Sequence, residues 1–285
     1  MPESEFQIPY RDGKTFFACE WSPPGEAKGL IILVHGLSEH AGRYKHVGSF
    51  FAASGYCMIL ADLRGHGRSF GKRGHFPSIG VIMDDISLFI EAARSRHPAL
   101  PLILYGHSMG GNLVLNYLIR RNPLVSACVV TSPWLRLASK PPLIKVILAN
   151  LTGKLFPALT EPDGLNPSDL SHDAEVCRTY ASDPLVHSRI SASTFLEISR
   201  AGKYVIKHAA DIDCKLLLMH GTADKLTSYD ASTEFSLRLT APNTFKAWNG
   251  LFHELHNEFE KETVLEFIGE WLSSQYNPVL QDRFF

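Results

Sequence analysis

The sequence LILYGHSMGGNLVLNYLIRR, residues 102–121, decides the fold of this chain. Its first four residues form a short apolar run that predicts a buried strand, and residues 112–121 have the pattern of a helix. Between them lies Gly106-His107-Ser108-Met109-Gly110, where the chain must turn so tightly that the backbone of the central serine is strained. Side chains two positions to either side would collide, so both places need glycine. This context favours a nucleophile elbow, which exposes a serine hydroxyl at a helix N-terminus, over an incidental Gly/Ser turn.

Short apolar runs and helical patterns alternate on both sides of the elbow. The predicted strands cover residues 30–34, 56–61, 127–131, 215–219 and 244–248, and the predicted helices include 84–97 and 262–273. A hairpin formed by residues 6–10 and 15–21 precedes them. The alternation predicts an α/β fold with a mostly parallel sheet covered by helices on both faces.

Residues 134–207 interrupt this alternation. They show no clear strand and are rich in proline, and apolar residues recur at helical spacing between Leu143 and Leu155. We therefore expect a helical cap inserted into the α/β core. In this division, residues 1–133 and 208–285 form the core and residues 134–207 form the cap.

Composition and charge give no reason to expect several classes of protein. Lys and Arg number 28 against 29 Asp and Glu, so the net charge of −1 gives no electrostatic reason to expect a nucleic acid partner. The five cysteines are scattered without a CxxC pair and are expected to be reduced. The N-terminus lacks a signal peptide, and no apolar run is long enough to span a membrane. We expect a soluble cytoplasmic protein, and nothing in the sequence specifies its oligomeric state.

A serine hydroxyl needs a base to remove its proton, and the base needs an acid to orient it. His253 follows the strand predicted over 244–248 by a short loop, at the carboxyl edge of the sheet where active sites of such folds collect. His256 is the nearest alternative. Asp224 follows the strand predicted over 215–219 at the same edge, between serine and histidine in chain order. A loop-capping role is the alternative for Asp224.

The negative charge of a tetrahedral intermediate needs hydrogen-bond donors. We predict the backbone N–H of Met109, after the nucleophile, and that of Leu37, after the strand over 30–34. The glycine-rich residues 62–69 lack the Lys-Ser/Thr of a phosphate loop, and the histidines of residues 253–256 are three apart where a zinc-protease motif needs four. The sequence thus predicts a serine hydrolase that requires neither a cofactor nor a metal.

With these pieces placed, the chain resembles the monoacylglycerol lipases and lysophospholipase-like enzymes of the α/β-hydrolase superfamily. The resemblance extends over nearly the whole chain, from about residue 6 to residue 275. It rests on residues 35–44 (HGLSEHAGRY), 62–69 (DLRGHGRS), 106–111 (GHSMGG), 182–185 (SDPL), 221–224 (GTAD) and 253–256 (HELH). It implies hydrolysis of single-chain lipid esters, monoacylglycerol above all, with short-chain esters or lysophospholipids as alternatives. A catalytically silent ligand-binding protein of the same fold is the alternative outside the enzymes.

The resemblance also assigns residues. It places the catalytic serine, acid and base on the three residues already chosen, and the oxyanion donors on Leu37 and Met109. It implies that Glu39, Arg43 and His256 hold the glycerol end of the substrate. For Glu39 and Arg43, a salt bridge that braces the oxyanion loop is an equal alternative. The apolar residues from 143 to 159 would shelter an acyl chain and touch a membrane or lipid aggregate, or else pack against the core.

Overall fold

A computed structural model describes residues 3–275 of the 285-residue chain. Residues 1–2 and 276–285, which form the ends of the two core segments expected from the sequence, lie outside the described residues. The central sheet has eight strands in the order β1-β2-β4-β3-β5-β6-β9-β10. The first two strand pairs, β1–β2 and β2–β4, are antiparallel and the others are parallel. These strands are β1 (Glu3–Pro9), β2 (Thr15–Trp21), β3 (Leu30–Val34), β4 (Cys57–Ala61), β5 (Leu102–His107), β6 (Ala127–Thr131), β9 (Leu216–Gly221) and β10 (Asn243–Trp248).

Helices cover both faces of this sheet. The helices are α1 (Lys45–Ala53), α2 (Ile79–Arg96), α3 (Met109–Arg121), α4 (Leu143–Leu155), α5 (Ala174–Ser182), α6 (Ala192–Lys207), α7 (Tyr229–Ser236) and α8 (Lys261–Ser274). Successive side chains of a strand point to opposite faces, so Leu104 joins the apolar cluster under α2 and α3 while Ile103 joins the cluster under α1 and α8. The α/β fold predicted from the sequence is therefore confirmed.

The predicted element boundaries differ from the structure mainly at helix starts. Helix α2 begins at Ile79, five residues before the predicted start, because the side chain of Ser78 caps it by accepting a hydrogen bond from the Val81 N–H. Helix α3 begins at Met109, immediately after the elbow serine. Strands β3 and β6 match their predicted bounds.

Residues 134–207 contain α4, α5 and α6 and also two short strands, β7 (Thr160–Pro162) and β8 (Arg189–Ser191), which pair antiparallel. The expectation of no strand in this segment was wrong. Each strand has three residues, too few for a periodic signal, and β8 is further fixed by a bond from the Ser191 N–H to the Gly74 carbonyl. Within the described residues, no helix is both long and apolar enough to cross a membrane.

The two ends of this segment differ in how they meet the core. Helix α6 packs on α3, where the amides of Asn112 and Asn116 donate hydrogen bonds to the α6 carbonyls of Ile198 and Ala201. The apolar side chains of α4 instead face solvent, with exposed fractions between 51% and 81%. They are Leu143, Ile144, Ile147, Leu148, Leu151 and Leu155. The alternative that these side chains pack against the core is therefore wrong.

Candidate active site

The turn from β5 into α3 has the strained geometry that the glycine pattern predicts. Ser108 has φ 55° and ψ −118°, values that L-residues rarely adopt. A Cβ on Gly106 would lie 2.6 Å from the Gly110 carbonyl oxygen, and a Cβ on Gly110 would overlap the Val34 carbonyl of β3. Both glycines are thus required for α3 to approach the sheet, and the serine side chain stands at the N-terminus of that helix.

Three residues that are far apart in sequence meet at this turn. The Oγ of Ser108 lies 2.9 Å from His253 Nε2, and His253 Nδ1 lies 2.7 Å from Asp224 Oδ2. Asp224 follows β9 and His253 follows β10, so both reach the serine from the carboxyl edge of the sheet. All three side chains are buried or nearly so. This row of hydroxyl, imidazole and carboxylate can carry a proton away from the serine.

The charges in this row favour a negative acid and a basic imidazole. Burial alone would raise the pKa of Asp224, but the charge of His253 and hydrogen bonds from His220 and His253 outweigh it, so the pKa is lowered. Burial alone would lower the pKa of His253, but the charge of Asp224 and its hydrogen bond outweigh it, so the pKa is raised. Each partner therefore stabilises the charged form of the other.

Asp224 has further partners that sequence reasoning missed. Its Oδ1 accepts the backbone N–H groups of Leu226 and Thr227, at 2.7 and 3.0 Å. Its Oδ2 lies 2.8 Å from the Thr227 hydroxyl and 3.1 Å from His220 Nε2. The four-residue spacing between His220 and Asp224 was the sequence signal for their contact. The other ring nitrogen of His220 lies 2.8 Å from the Ser232 hydroxyl. These contacts fix the carboxylate from three sides.

The two other histidines near the elbow lie behind His253. The ring of His107 is 4.9 Å from that of His253, and the ring of His256 is 4.8 Å from that of His107. Burial lowers the pKa of both, in the case of His256 to about 3, so both are neutral near pH 7. Neither ring nitrogen of His256 has a hydrogen-bond partner among the described residues. His256 is therefore stacked out of reach of the serine and is no rival to His253 as its partner.

The loop after β3 is fixed by a buried ion cluster. Glu39 Oε1 accepts the Gly36 N–H at 2.5 Å and the Tyr44 hydroxyl at 2.8 Å. Arg43 donates to Glu39 Oε2 at 2.8 Å and to both oxygens of Glu254 at 2.6 and 2.7 Å. Burial raises the pKa of Glu39; in Glu254 burial acts the same way, but the charge of Arg43 outweighs it and lowers the pKa. The role of Glu254, which lies 211 residues from Arg43, was not predicted.

A cavity of about 300 Å³ opens over the row of three side chains. Leu37 and Ser108 line it together, and Met109 is the first residue of α3, where backbone N–H groups have no partner within the helix. Glu39 reaches the cavity wall, whereas Arg43 and His256 do not line it. A second cavity of about 650 Å³ lies between α4 and α6 and shares Trp134, Leu137 and Ser139 with the first. The two cavities are thus neighbours.

Residues with the spacing of metal ligands do not meet at this site. Among residues 3–275, three side chains lie close enough together to hold a metal ion, and they are at the other end of the sheet: Glu20, Cys57 and His97.

Known proteins share this sequence and this fold. The sequence profile described as "Serine aminopeptidase, S33" (Hydrolase_4) matches residues 25–260. A monoacylglycerol lipase from Mycolicibacterium smegmatis is 34% identical over 89% of this chain and 91% of its own length. An uncharacterised abhydrolase domain-containing protein from Dictyostelium discoideum is 37% identical over 96% of this chain, which spans only 29% of that longer protein.

The fold agrees with that of a solved relative. The crystal structure of Paleococcus ferrophilus monoacylglycerol lipase superposes with a TM-score of 0.84 and 32% sequence identity, covering 91% of this chain and 99% of the other. The matching profile covers most of the chain. The chain therefore belongs to the Hydrolase_4 family of α/β-hydrolases and is a carboxylic ester hydrolase.

Proposed function

We propose that this enzyme hydrolyses esters of single-chain lipids, monoacylglycerol above all, through an acyl-enzyme on Ser108. The observation that carries the proposal is the continuous row from Ser108 Oγ through His253 to Asp224, with contacts of 2.9 and 2.7 Å, at the floor of a cavity. The lipases among its relatives act on monoacylglycerol, as their names state.

The proposed reaction has two steps. His253 takes the proton of Ser108 while the hydroxyl oxygen attacks the ester carbonyl, and the N–H groups of Leu37 and Met109 bind the developing oxyanion. Protonated His253 then gives its proton to the departing alcohol, leaving the acyl group on the serine. A water molecule, deprotonated by the same imidazole, attacks the acyl-enzyme and releases the fatty acid. The lowered pKa of Asp224 keeps its charge available to stabilise the imidazolium in both steps.

The shape of the two neighbouring cavities supports a substrate with a polar head and one chain. The cavity over Ser108 has a polar wall that includes Asp163, Asp169 and Lys225, which suits a glycerol head. The cavity between α4 and α6 adds Val146, Phe195 and Leu196 and suits an acyl chain. A second acyl chain would need a third space of comparable size next to these two.

Glu39 and Arg43 support the oxyanion loop in this proposal and do not hold glycerol. The guanidinium of Arg43 donates its hydrogen bonds to carboxylates of the chain. It also lies over the Tyr180 ring, 4.7 Å from the centroid. His256 likewise acts from behind the site. Contact with the glycerol head falls instead to the other residues that line the cavity, since both carboxylate oxygens of Glu39 already have partners within the chain.

The exposed apolar face of α4 supports contact with a lipid surface. Six large aliphatic side chains point into solvent along this helix, and the cavity that suits an acyl chain lies beneath it. A helix with such a face binds reversibly at the boundary between lipid headgroups and acyl chains. The enzyme would then take its substrate from a membrane or lipid aggregate without spanning it. We also propose that residues 134–207 form the cap.

The test is a panel of substrates given to the purified protein and to its Ser108→Ala variant. Monoacylglycerols of increasing chain length should show rising kcat/KM, di- and triacylglycerols much less, and the variant should lose at least about 10³-fold on every ester. A flat response beyond about four carbons would make it a short-chain esterase. Faster turnover of lysophospholipids would move the assignment to that class, and residual activity in the variant would mean another nucleophile.

The profile description raises one competing reaction, cleavage of an N-terminal amino acid. A free amino terminus needs an unpaired carboxylate near the nucleophile, but Glu39 and Glu254 are both bonded to Arg43, and Asp163 accepts bonds from Ser38 and Leu165. We therefore expect aminoacyl anilides in the same panel to be turned over at least about 100-fold more slowly than esters.

A further inference from the structure

A second cluster of chemically active side chains lies outside the active site, at the amino ends of the parallel strands. Glu20 in β2, Cys57 at the start of β4 and His97 at the end of α2 bring one ligand atom each to within 4.8 Å of the others. The distances are 2.9 Å from His97 Nε2 to Glu20 Oε1, 3.3 Å from His97 Nε2 to Cys57 Sγ and 3.8 Å from Cys57 Sγ to Glu20 Oε1.

We propose that Glu20, Cys57 and His97 form a Zn²⁺ site. Thiolate sulfur, imidazole nitrogen and carboxylate oxygen are the protein ligands of zinc, and tetrahedral bonds of normal length would place such atoms about 3.4–3.6 Å from one another. The three observed distances differ from that range by about half an ångström or less, so a side-chain adjustment within one rotamer brings the atoms onto a common ion. On binding, Cys57 releases its thiol proton to solvent, and His97 binds as the neutral imidazole through Nε2, with its one ring proton on Nδ1.

The surroundings match those of a metal site with one open position. Arg96 Nε donates to Glu20 Oε2 at 2.6 Å, which orients the carboxylate; its other oxygen, Oε1, lies next to the histidine and the thiol and also accepts the Ser22 hydroxyl at 2.8 Å. Such contacts to the second oxygen of a ligand are common around metals. Cys57 and His97 also line a surface cleft of about 370 Å³, from which an ion and a fourth ligand, water, can enter. Glu20 and Cys57 are buried and His97 is 23% exposed.

The site would have no part in ester hydrolysis. Cys57 is the first residue of β4. Asp62 follows the last residue of that strand, at the active-site edge of the sheet, where it accepts the Ala41 N–H at 2.7 Å. A strand of five residues separates the two edges by about 13 Å or more. The ion would instead tie the end of α2 to two strands, and its effect would be on stability.

The experiment titrates the purified, metal-free protein with Co²⁺, the spectroscopic substitute for zinc, and then displaces it with Zn²⁺. We expect one equivalent of bound metal and a thiolate-to-cobalt charge-transfer band that disappears in Cys57→Ser and persists in the control Cys177→Ser, whose thiol lies in the cap. If Cys57→Ser does not fold, as judged by circular dichroism, His97→Gln takes its place and should weaken binding at least tenfold.

Two results would overturn the proposal. One is the absence of the band in the unaltered protein, and the other is a metal complex that survives both Cys57→Ser and His97→Gln, which would place the ion elsewhere. Hydrolysis of p-nitrophenyl butyrate should be the same in all these variants, so failure of the metal site is distinguishable from failure of the proposed function.

Discussion

Replacing Arg43 by lysine tests whether Arg43 holds the oxyanion loop in place or contacts the glycerol of the substrate. Lysine keeps the positive charge but lacks the planar fork that binds both oxygens of Glu254 at 2.6 and 2.7 Å. Hydrogen bonds to charged groups contribute about 1.5–3 kcal/mol each, and the ammonium recovers part of what is lost, so we expect the free energy of unfolding to fall by about 2–3 kcal/mol. For a chain of this size that lowers Tm by about 3–5 °C.

The effect on catalysis should pass through the loop. Arg43 fixes Glu39, Glu39 accepts the Gly36 N–H, and the next residue, Leu37, carries the proposed oxyanion donor. Complete loss of one such donor costs about 10²–10³ in kcat. Because a displaced loop loses only part of that, we expect a decrease of about 10–100-fold, equal for monoacylglycerol and for p-nitrophenyl butyrate, which has no glycerol.

The assay measures kcat and KM on both esters, with Arg178→Lys as the control because Arg178 is exposed on α5 and pairs only with its neighbour Glu175. A variant with normal kcat on p-nitrophenyl butyrate and a KM raised more than about tenfold on monoacylglycerol alone would refute the brace and assign Arg43 to glycerol binding. A variant with unchanged Tm would refute the stability estimate.

Three further results are expected. His253 must be neutral to accept the serine proton, and its pKa is raised above its ordinary value of 6.5. We therefore expect kcat/KM to fall as pH decreases, with a midpoint above 6.5. A midpoint below 6 in the pH–rate profile would contradict this. Thr227→Val removes the hydroxyl that donates to Asp224 and should lower the free energy of unfolding by about 1.5–3 kcal/mol in a urea titration, while Thr227→Ser should restore most of it. Backbone amides of α4 should exchange with deuterated solvent faster than those of α6, because the α4 side chains are exposed whereas one face of α6 is buried; equal protection by mass spectrometry would mean that α4 is packed.

The sequence predicted the parts of the fold that local pattern controls. The elbow could be predicted because part of its steric constraint is local: a side chain at 106 would lie 2.6 Å from the Gly110 carbonyl oxygen, within the same turn. Strand β3 was predicted with its correct bounds because five consecutive apolar residues have no other place than the interior of the sheet. His253 and Asp224 followed from their positions after two predicted strands.

The missing parts depend on contacts between distant residues. Strands β7 and β8 are three residues each and form by pairing between distant positions, such as Glu161 and Ile190, which are 29 residues apart. The periodicity of α4 predicted an apolar face correctly, but periodicity does not state what that face meets, and in the structure it meets solvent. Glu254 was passed over because its partner Arg43 lies in the first fifth of the chain, and a single sequence holds no trace of that pairing.

Two polar contacts between the insertion and the core lie at the loop that carries Leu37. Ser38 Oγ donates to Asp163 Oδ2 at 2.6 Å, and His40 Nε2 lies 2.9 Å from Asp183 Oδ2. The same loop is therefore fixed from the core through Arg43 and from the insertion through two aspartates. Because these contacts hold the side of the insertion next to the oxyanion loop, we expect movement that admits a long acyl chain on the side of α4, whose described residues make no polar contact with the core. In this proposal the substrate enters at the cavity between α4 and α6, and the oxyanion is stabilised in the neighbouring cavity over Ser108.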